Sequence, residues 1–335
     1  MLQAAVTGAA TVGHGSIASG YSGPVAQSPD RGERAPVAVG PAAPVIVVLH
    51  GHRRFTAAAA GALVREVTVA RFPNGELHAD VPACVEGRGC VVVGSVSPPG
   101  ANLERLTLVA HALRRAGASR VTALIPYLAY ARQDRARPGE SLGLAWLGDL
   151  LRASGVDEVA AVDVHSHLAG ELLGLPLRSL SPAALLADAL PQRWREDVTF
   201  VAPDEGAIAR CTAIADAVGT RQPVVWARKR RTVLGVEHLG LVGDSGRRAL
   251  IVDDILDSGA TLTLCARALR ARGVEEIAAV VTHARFTGQS SRDLVERELH
   301  QLWITDTVLR PSRPSQIGVV AVAELLVPIL TGVID

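Results

Sequence analysis

The chain has 335 residues, 48% hydrophobic and 20% charged, which is enough for two domains and too apolar for wholesale disorder. Its 34 basic and 33 acidic side chains leave a formal charge of +1, so no continuous basic field exists to track a nucleic-acid backbone. Four cysteines, Cys84, Cys90, Cys211 and Cys265, are scattered without a C-x-x-C pair, which argues against a zinc ribbon or a disulfide framework and fits a reducing, cytoplasmic setting.

Residues 1–43 are rich in Ala, Gly, Ser and Pro without a sustained period and are expected to form a mostly disordered extension. Within them Gly13–Ala18 imitates a dinucleotide fingerprint, but no apolar strand precedes it and no clear helix follows. From Pro44 onward, short apolar runs alternate with longer segments of helical period. The strand candidates are Val45–Leu49, Cys90–Val96, Arg120–Ile125, Glu158–Val164, Thr199–Ala202, Ala249–Asp253 and Ile277–Thr282. Between them Leu103–Leu113, Leu142–Leu151, Ala207–Ala217 and Ala260–Leu269 place apolar residues at i, i+3, i+4 spacing. This pattern predicts an α/β fold of two similar domains, each a mostly parallel sheet flanked by helices. A break near Ser181-Pro182 divides the chain into 44–181 and 182–335. The apolar stretch Ile317–Ile334 is interrupted by Glu324 and Pro328 and reads as a short strand followed by an amphipathic helix; no membrane span or signal peptide is expected.

In such folds ligands lie at the carboxyl ends of the strands. The most informative end is Val252-Asp253-Asp254-Ile255-Leu256-Asp257-Ser258-Gly259-Ala260-Thr261. Two carboxylates are followed by a turn of small residues that opens a helix. Backbone amides of Ser258, Gly259, Ala260 and Thr261, with two hydroxyls beside them, would cradle a phosphate. Asp253 and Asp254 are suited to ribose hydroxyls or a hydrated divalent cation. The plainer reading makes Asp257 a helix cap and leaves the two preceding acids without a role.

This segment resembles the phosphoribosyl-diphosphate motif of the type I phosphoribosyltransferases. Phe72-Pro73-Asn74-Gly75-Glu76, Asn102-Leu103-Glu104 and above all Ile125-Pro126-Tyr127-Leu128-Ala129-Tyr130-Ala131-Arg132-Gln133-Asp134-Arg135 resemble, within that group, the ribose-phosphate diphosphokinases. Asp163-Val164-His165, Pro203-Asp204, Lys229-Arg230-Arg231 and Thr305-Asp306-Thr307 follow in that family's order. The resemblance implies phosphoribosyltransferase-like domains and transfer of the diphosphoryl group of Mg-ATP to the 1-hydroxyl of ribose 5-phosphate. It places Asp253, Asp254, Asp257, Ser258, Gly259, Ala260, Thr261 and Arg231 on ribose 5-phosphate. It places Arg132 and Gln133 on ATP, with Phe72, Asn74, Gly75 and Glu76 coming from a neighbouring subunit of a hexamer or dimer. His165 and Asp204 would serve Mg²⁺, and Lys229 with Arg231 the transfer itself. Each has a plainer reading: a solvated loop for Arg132 and Gln133, a core aromatic for Phe72, a structural histidine for His165.

Lys229 stands out by composition, because every other basic residue but this one is arginine. A compact ammonium among transferring oxygens is not replaced by a planar guanidinium without a change of geometry. The run Gly139-Glu140-Ser141-Leu142-Gly143 lacks the preceding strand of a hydrolase elbow, and no Walker loop is present. The rival readings are a phosphoribosyltransferase that consumes the same product and a non-catalytic subunit of a synthetase. The chain departs from the family at Ala136, at Leu172-Leu173 and in the missing Ser-containing tail, which implies ADP inhibition by competition with ATP alone.

Overall fold

A computed structural model describes residues 43–135, 138–232, 235–287, 289–308 and 316–332; for residues 229–232, 235–239 and 289–292 only the backbone is described. The expected extension, residues 1–43, and Ala136 therefore lie outside the described residues, apart from Ala43.

The first half builds a six-stranded sheet in the order β2-β1-β5-β6-β7-β8. Its strands are β1 (Val45–Leu49), β2 (Leu63–Val67), β5 (Gly89–Val93), β6 (Arg120–Leu124), β7 (Glu158–Val162) and β8 (Leu177–Leu180), all paired in parallel. A short antiparallel hairpin, β3 (Val69–Arg71) with β4 (Leu77–Ala79), stands apart from it. Helices α1 (Ala101–Arg115), α2 (Gly143–Ala153) and α3 (Ala169–Leu173) cover one face. On α1 the buried set Leu103, Leu106, Val109, Ala110 and Leu113 has the spacing of one helical stripe, and each fully buried Leu or Val contributes about 1.5–3 kcal/mol. α2 approaches α3 at Gly148, where a Cβ would collide with the Leu173 carbonyl.

The second half adds α4 (Ala183–Asp188), β9 (Thr199–Ala202), α5 (Ile208–Val218), β10 (Val225–Thr232), β11 (Gly235–Val242), β12 (Arg248–Leu256), α6 (Ala260–Ala271), β13 (Glu276–Ala284), α7 (Gln289–Arg297), β14 (Gln301–Thr305) and β15 (Ile317–Val320). They form a seven-stranded sheet in the order β11-β10-β9-β12-β13-β14-β15, parallel except for β10–β11. One core packs the sheet on α6 and α7, the other on α4 and α5 with Trp194 and Phe200. A last helix, α8 (Val327–Thr331), returns to the first half: Val322, Leu326, Ile329 and Leu330 are buried against Ile46, Val48, Phe55 and Val93. The final segment thus covers the face of the first sheet that α1–α3 leave open.

The two-domain parallel α/β expectation is what the chain adopts. The strands that periodicity passed over include β2, β8 and the β10–β11 ribbon. They lie at or beside sheet edges, where one flank is solvated and Arg65, Glu66, Arg178 and Arg228 interrupt the apolar run. Two ends shift with chemical consequence. β7 stops at Val162 because Asp163 takes a left-handed backbone (φ 44°), and β12 runs on to Leu256, past both acids of the motif.

Candidate active site

β12 carries Asp253 and Asp254 on opposite faces, as successive strand residues must be. Asp254 is only 3% exposed, on the side of α5, whereas Asp253 is half-buried. Beyond Leu256 the chain turns through Asp257-Ser258-Gly259 into α6. The N-cap is Gly259, in the left-handed conformation at φ 84°, and no side chain caps the helix from that position. Asp257 is engaged elsewhere: it accepts from Thr287 Oγ1 at 2.7 Å and pairs with Arg132 Nη1 at 3.5 Å. The Asp257 carbonyl accepts the Thr287 amide at 3.0 Å. Ser258 Oγ lies 3.4 Å from the Ala260 amide, and the first turn of α6 holds no acidic residue. The helix therefore opens with its positive end toward a turn of small residues, the chemistry an anionic phosphate requires.

The carboxyl end of β7 meets this region from the first half. His165 Nδ1 lies 2.5 Å from Asp254 Oδ2; an ionised carboxylate only accepts, so Nδ1 carries the proton. Arg210 of α5 sets Nε 2.7 and 2.8 Å from the two oxygens of Asp163, and its Nη2 stands 3.7 Å from Asp254. Thr282 of β13 donates to Asp163 as well. His283, fully buried, places Nε2 3.0 Å from the Val162 carbonyl and Nδ1 2.8 Å from Thr307 Oγ1. The carbonyl fixes the tautomer: Nε2 donates and Nδ1 accepts.

These contacts divide the acidic pair. Burial alone would raise Asp254, but the hydrogen bond from His165 and the Arg210 charge outweigh it and hold its carboxyl well below the usual range. Asp253 is pushed the other way, first by burial, then by the charge of Asp254, with Asp204 adding to it. Burial and pairing thus drive the proton affinities of the two neighbours apart, that of Asp254 downward and that of Asp253 upward. Burial also lowers the His283 imidazole.

The remaining sequence candidates have definite places. Asp204 follows β9, and its Oδ1 accepts the Ala207 amide at 3.2 Å. Arg132 and Gln133 follow β6; the Gln133 amide donates to the Tyr130 carbonyl at 2.9 Å, and the Arg132 side chain is half-exposed. Phe72, Asn74, Gly75 and Glu76 form the tip of the β3–β4 hairpin, with the Phe72 amide on the Glu76 carbonyl (2.8 Å), Asn74 Oδ1 on the Glu76 amide (3.1 Å) and Gly75 at φ 93°. Phe72 is 48% exposed, outside the core position that is the plainer reading of an aromatic beside Pro73. Lys229 and Arg231 lie on β10 with their backbones paired to His238 and Val236 beyond a register shift at Arg228/Lys229. Sequence reasoning gave no role to Arg210, Thr282, His283 or Arg285. Arg285 lies near buried Tyr127, in the neighbourhood of Arg132 and Asp257. Arg210 stands one position before the buried Cys211 on α5, where helical period alone does not distinguish a buried cation from a surface one.

Arg132 to Asp257, His165 to Asp254, Arg210 to Asp163 and His283 to Val162 all join the carboxyl end of the first sheet to the second half. The halves also match known sequences. Residues 46–155 match the N-terminal domain of ribose phosphate pyrophosphokinase, and residues 171–308 match the phosphoribosyl transferase domain. A ribose-phosphate pyrophosphokinase of Vibrio vulnificus (strain YJ016) is 33% identical over 72% of this chain and 79% of its own length. That of Chromobacterium violaceum is 35% identical over 72% and 74%. The crystal structure of phosphoribosylpyrophosphate synthetase from Mycobacterium smegmatis superposes with a TM-score of 0.77 at 24% identity, covering 87% of this chain and 98% of that one. With this fold, and with both domains matched in order over most of its length, the chain belongs to the ribose-phosphate pyrophosphokinase family.

Proposed function

We propose that the protein is a ribose-phosphate diphosphokinase that converts ribose 5-phosphate and Mg-ATP into 5-phosphoribosyl 1-diphosphate and AMP. The observation that carries this reading is the contact between Arg132, after β6, and Asp257, in the turn before α6. It puts the run assigned to ATP beside the turn assigned to the sugar phosphate, as a transfer between two phosphorylated substrates requires. A base transferase needs only the second of these.

In this reading the amides of Ser258–Thr261 hold the 5-phosphate, with Asp257 shaping the turn, and Asp253 faces the ribose hydroxyls. Arg132 and Gln133 hold the nucleotide, joined by Phe72, Asn74, Gly75 and Glu76 of a second copy in a homo-oligomer. The exposed ring of Phe72 at the hairpin tip favours that arrangement. The ribose 1-hydroxyl attacks the β-phosphorus in line and AMP departs. Lys229 and Arg231 compensate charge on the transferring oxygens; positioning and electrostatics supply the acceleration.

The donor set fits Mg²⁺. Asp253 and Asp204 are close enough for their charges to oppose each other, and both offer oxygen. Among the described residues no group of three or more ligating side chains encloses an ion. Mg²⁺ ordinarily keeps several waters and takes its other ligands from substrate phosphates, as in Mg-ATP. Asp204 and Asp253 would hold it, with His165 acting through water, and its chemistry would be to neutralise phosphate charge. We assign residues 44–181 to the nucleotide half and 182–335 to the sugar-phosphate half, and the cytoplasm as the place of action.

The test is AMP formation from ATP with and without ribose 5-phosphate. Release of AMP strictly dependent on the sugar phosphate is expected. Consumption of 5-phosphoribosyl 1-diphosphate in the presence of a free base, without AMP formation, would establish the transferase instead. An inactive chain that activates an active synthetase would establish the accessory subunit.

A further inference from the structure

Arg210 lies outside the turn before α6, the hairpin tip and the β10 strand, yet it is a well-enclosed cation of the junction, with its side chain 16% exposed. It holds both oxygens of Asp163 through one nitrogen while another faces Asp254. Asp163 is itself held from three sides: by Arg210, by Thr282 and by a backbone at φ 44° that turns it out of the β7 line. Asp254 is then gripped between Arg210 and His165. The guanidinium brings together α5, the end of β7 and β12, and β13 joins them through Thr282 on Asp163. It forms part of the wall of a cavity of about 270 Å³ lined also by Ser181, Pro182 and Gly206.

We infer that Arg210 is a positioning residue for the transfer reaction, fixing Asp254 and through it the His165 ring, so that the sugar-phosphate side of the site is assembled only when the two halves are in register. The inference rests on the diphosphokinase reading. A guanidinium suits this place because its Nε and Nη2 face two carboxylates at a fixed angle, whereas a lysine ammonium presents a single point charge. Arg210 hydrogen-bonds Asp163 and sets its charge against Asp254, and His165 commits Nδ1 to the same Asp254. Asp253, on the other face of β12, is left as the carboxylate that meets the ligand.

The experiment uses the full chain and measures kcat and both KM values for Arg210→Lys and for the double variant Asp163→Asn with Arg210→Gln. Thermal melting is recorded for each. The double variant removes the Asp163–Arg210 pair together and leaves Asp254 its hydrogen bond with His165, so it supplies a second variant for the test if the lysine variant melts early. Wild type must first release AMP in response to ribose 5-phosphate; its failure to do so would refute the diphosphokinase reading and is distinct from any result on Arg210. The expected result is a fall of at least tenfold in kcat in both variants, out of proportion to any loss of folded protein, with a rise in the KM for ribose 5-phosphate. Recovery of wild-type turnover in the double variant would show that Arg210 only balances Asp163, and would overturn the inference. Equal losses toward both substrates, in proportion to the folded fraction, would overturn it as well.

Discussion

Each half sends a parallel strand through a short turn into an amphipathic helix, but the two turns differ chemically. Before α1 the chain reads Ser97-Pro98-Pro99-Gly100, where two prolines have no N–H to offer, and Glu104 places a negative charge in the first helical turn. Before α6 it reads Asp257-Ser258-Gly259-Ala260-Thr261, where every residue has an amide, Gly259 accepts φ 84° and the first turn carries no acid. One architecture therefore leaves the positive helix end open in one half and sets a compensating carboxylate beside it in the other. The difference lies in side-chain substitution at a helix entrance, without a change of topology.

The largest effect is expected at Lys229, on the strand ribbon that belongs to the second half alone. Lys229→Arg should lower kcat on the order of a hundredfold or more with little change in melting, because a planar guanidinium does not reproduce a point charge among transferring oxygens. Single-turnover rates check this, and near-normal turnover would remove Lys229 from the mechanism. Next is Gly259→Val, which places a β-branched residue at φ 84° and fills the mouth of the turn. The KM for ribose 5-phosphate should rise by about tenfold or more and that for ATP far less; equal rises would mean the turn does not hold the sugar phosphate.

A closer trial of the comparison gives α6 the acid that α1 already has. Ala260 is exposed, so Ala260→Glu is accommodated sterically and favours the helix dipole, yet it sets a carboxylate against the incoming phosphate. Loss of about one charge-assisted contact, roughly 1.5–3 kcal/mol, corresponds to a rise of about tenfold or more in the KM for ribose 5-phosphate with melting unchanged. The mirror change, Glu104→Gln, should leave both KM values within about twofold. A large effect there would mean that the first half's helix entrance also meets substrate.

The smallest effect concerns the seam. His283 is buried and neutral, facing Thr307, the Val162 carbonyl and the charges of Asp163 and Asp254. Its folded-state affinity for protons is lowered by burial, so its contribution is present above the ordinary histidine value of about 6.5 and lost as pH falls below it. Melting temperature should decline from pH 7.5 to pH 5.5, and His283→Gln should flatten that decline. Parallel curves for the two proteins would remove His283 as the cause. Asp254, with its proton affinity lowered, contributes the same way only at far lower pH, below the ordinary carboxylate range.

Central strands were legible because they are buried on both faces and read as unbroken runs of Val, Ile and Leu, as in Val45–Leu49 and Thr199–Ala202. The edge ribbon β10–β11 was not, because an edge needs no apolar code on its solvated side. The phosphate turn was legible since a tight turn into a helix needs small residues at fixed positions, and Ser258, Gly259 and Thr261 are those residues. The Arg132–Asp257, Arg210–Asp163 and His165–Asp254 pairs have no such local signature.

What the sequence by itself determined is everything set by local covalent preference and period: two parallel α/β halves, the turn before α6, the lone lysine, and the motif order that marks the family. What only the tertiary structure decided is which of two adjacent acids is buried and which stays partly exposed. It also decided that α8 closes the first sheet and that one arginine joins α5 to the end of β7 and to β12. The physical reason is that charge pairing and desolvation depend on distances in space, and residues 47 or 89 positions apart acquire those distances only when the two sheets meet.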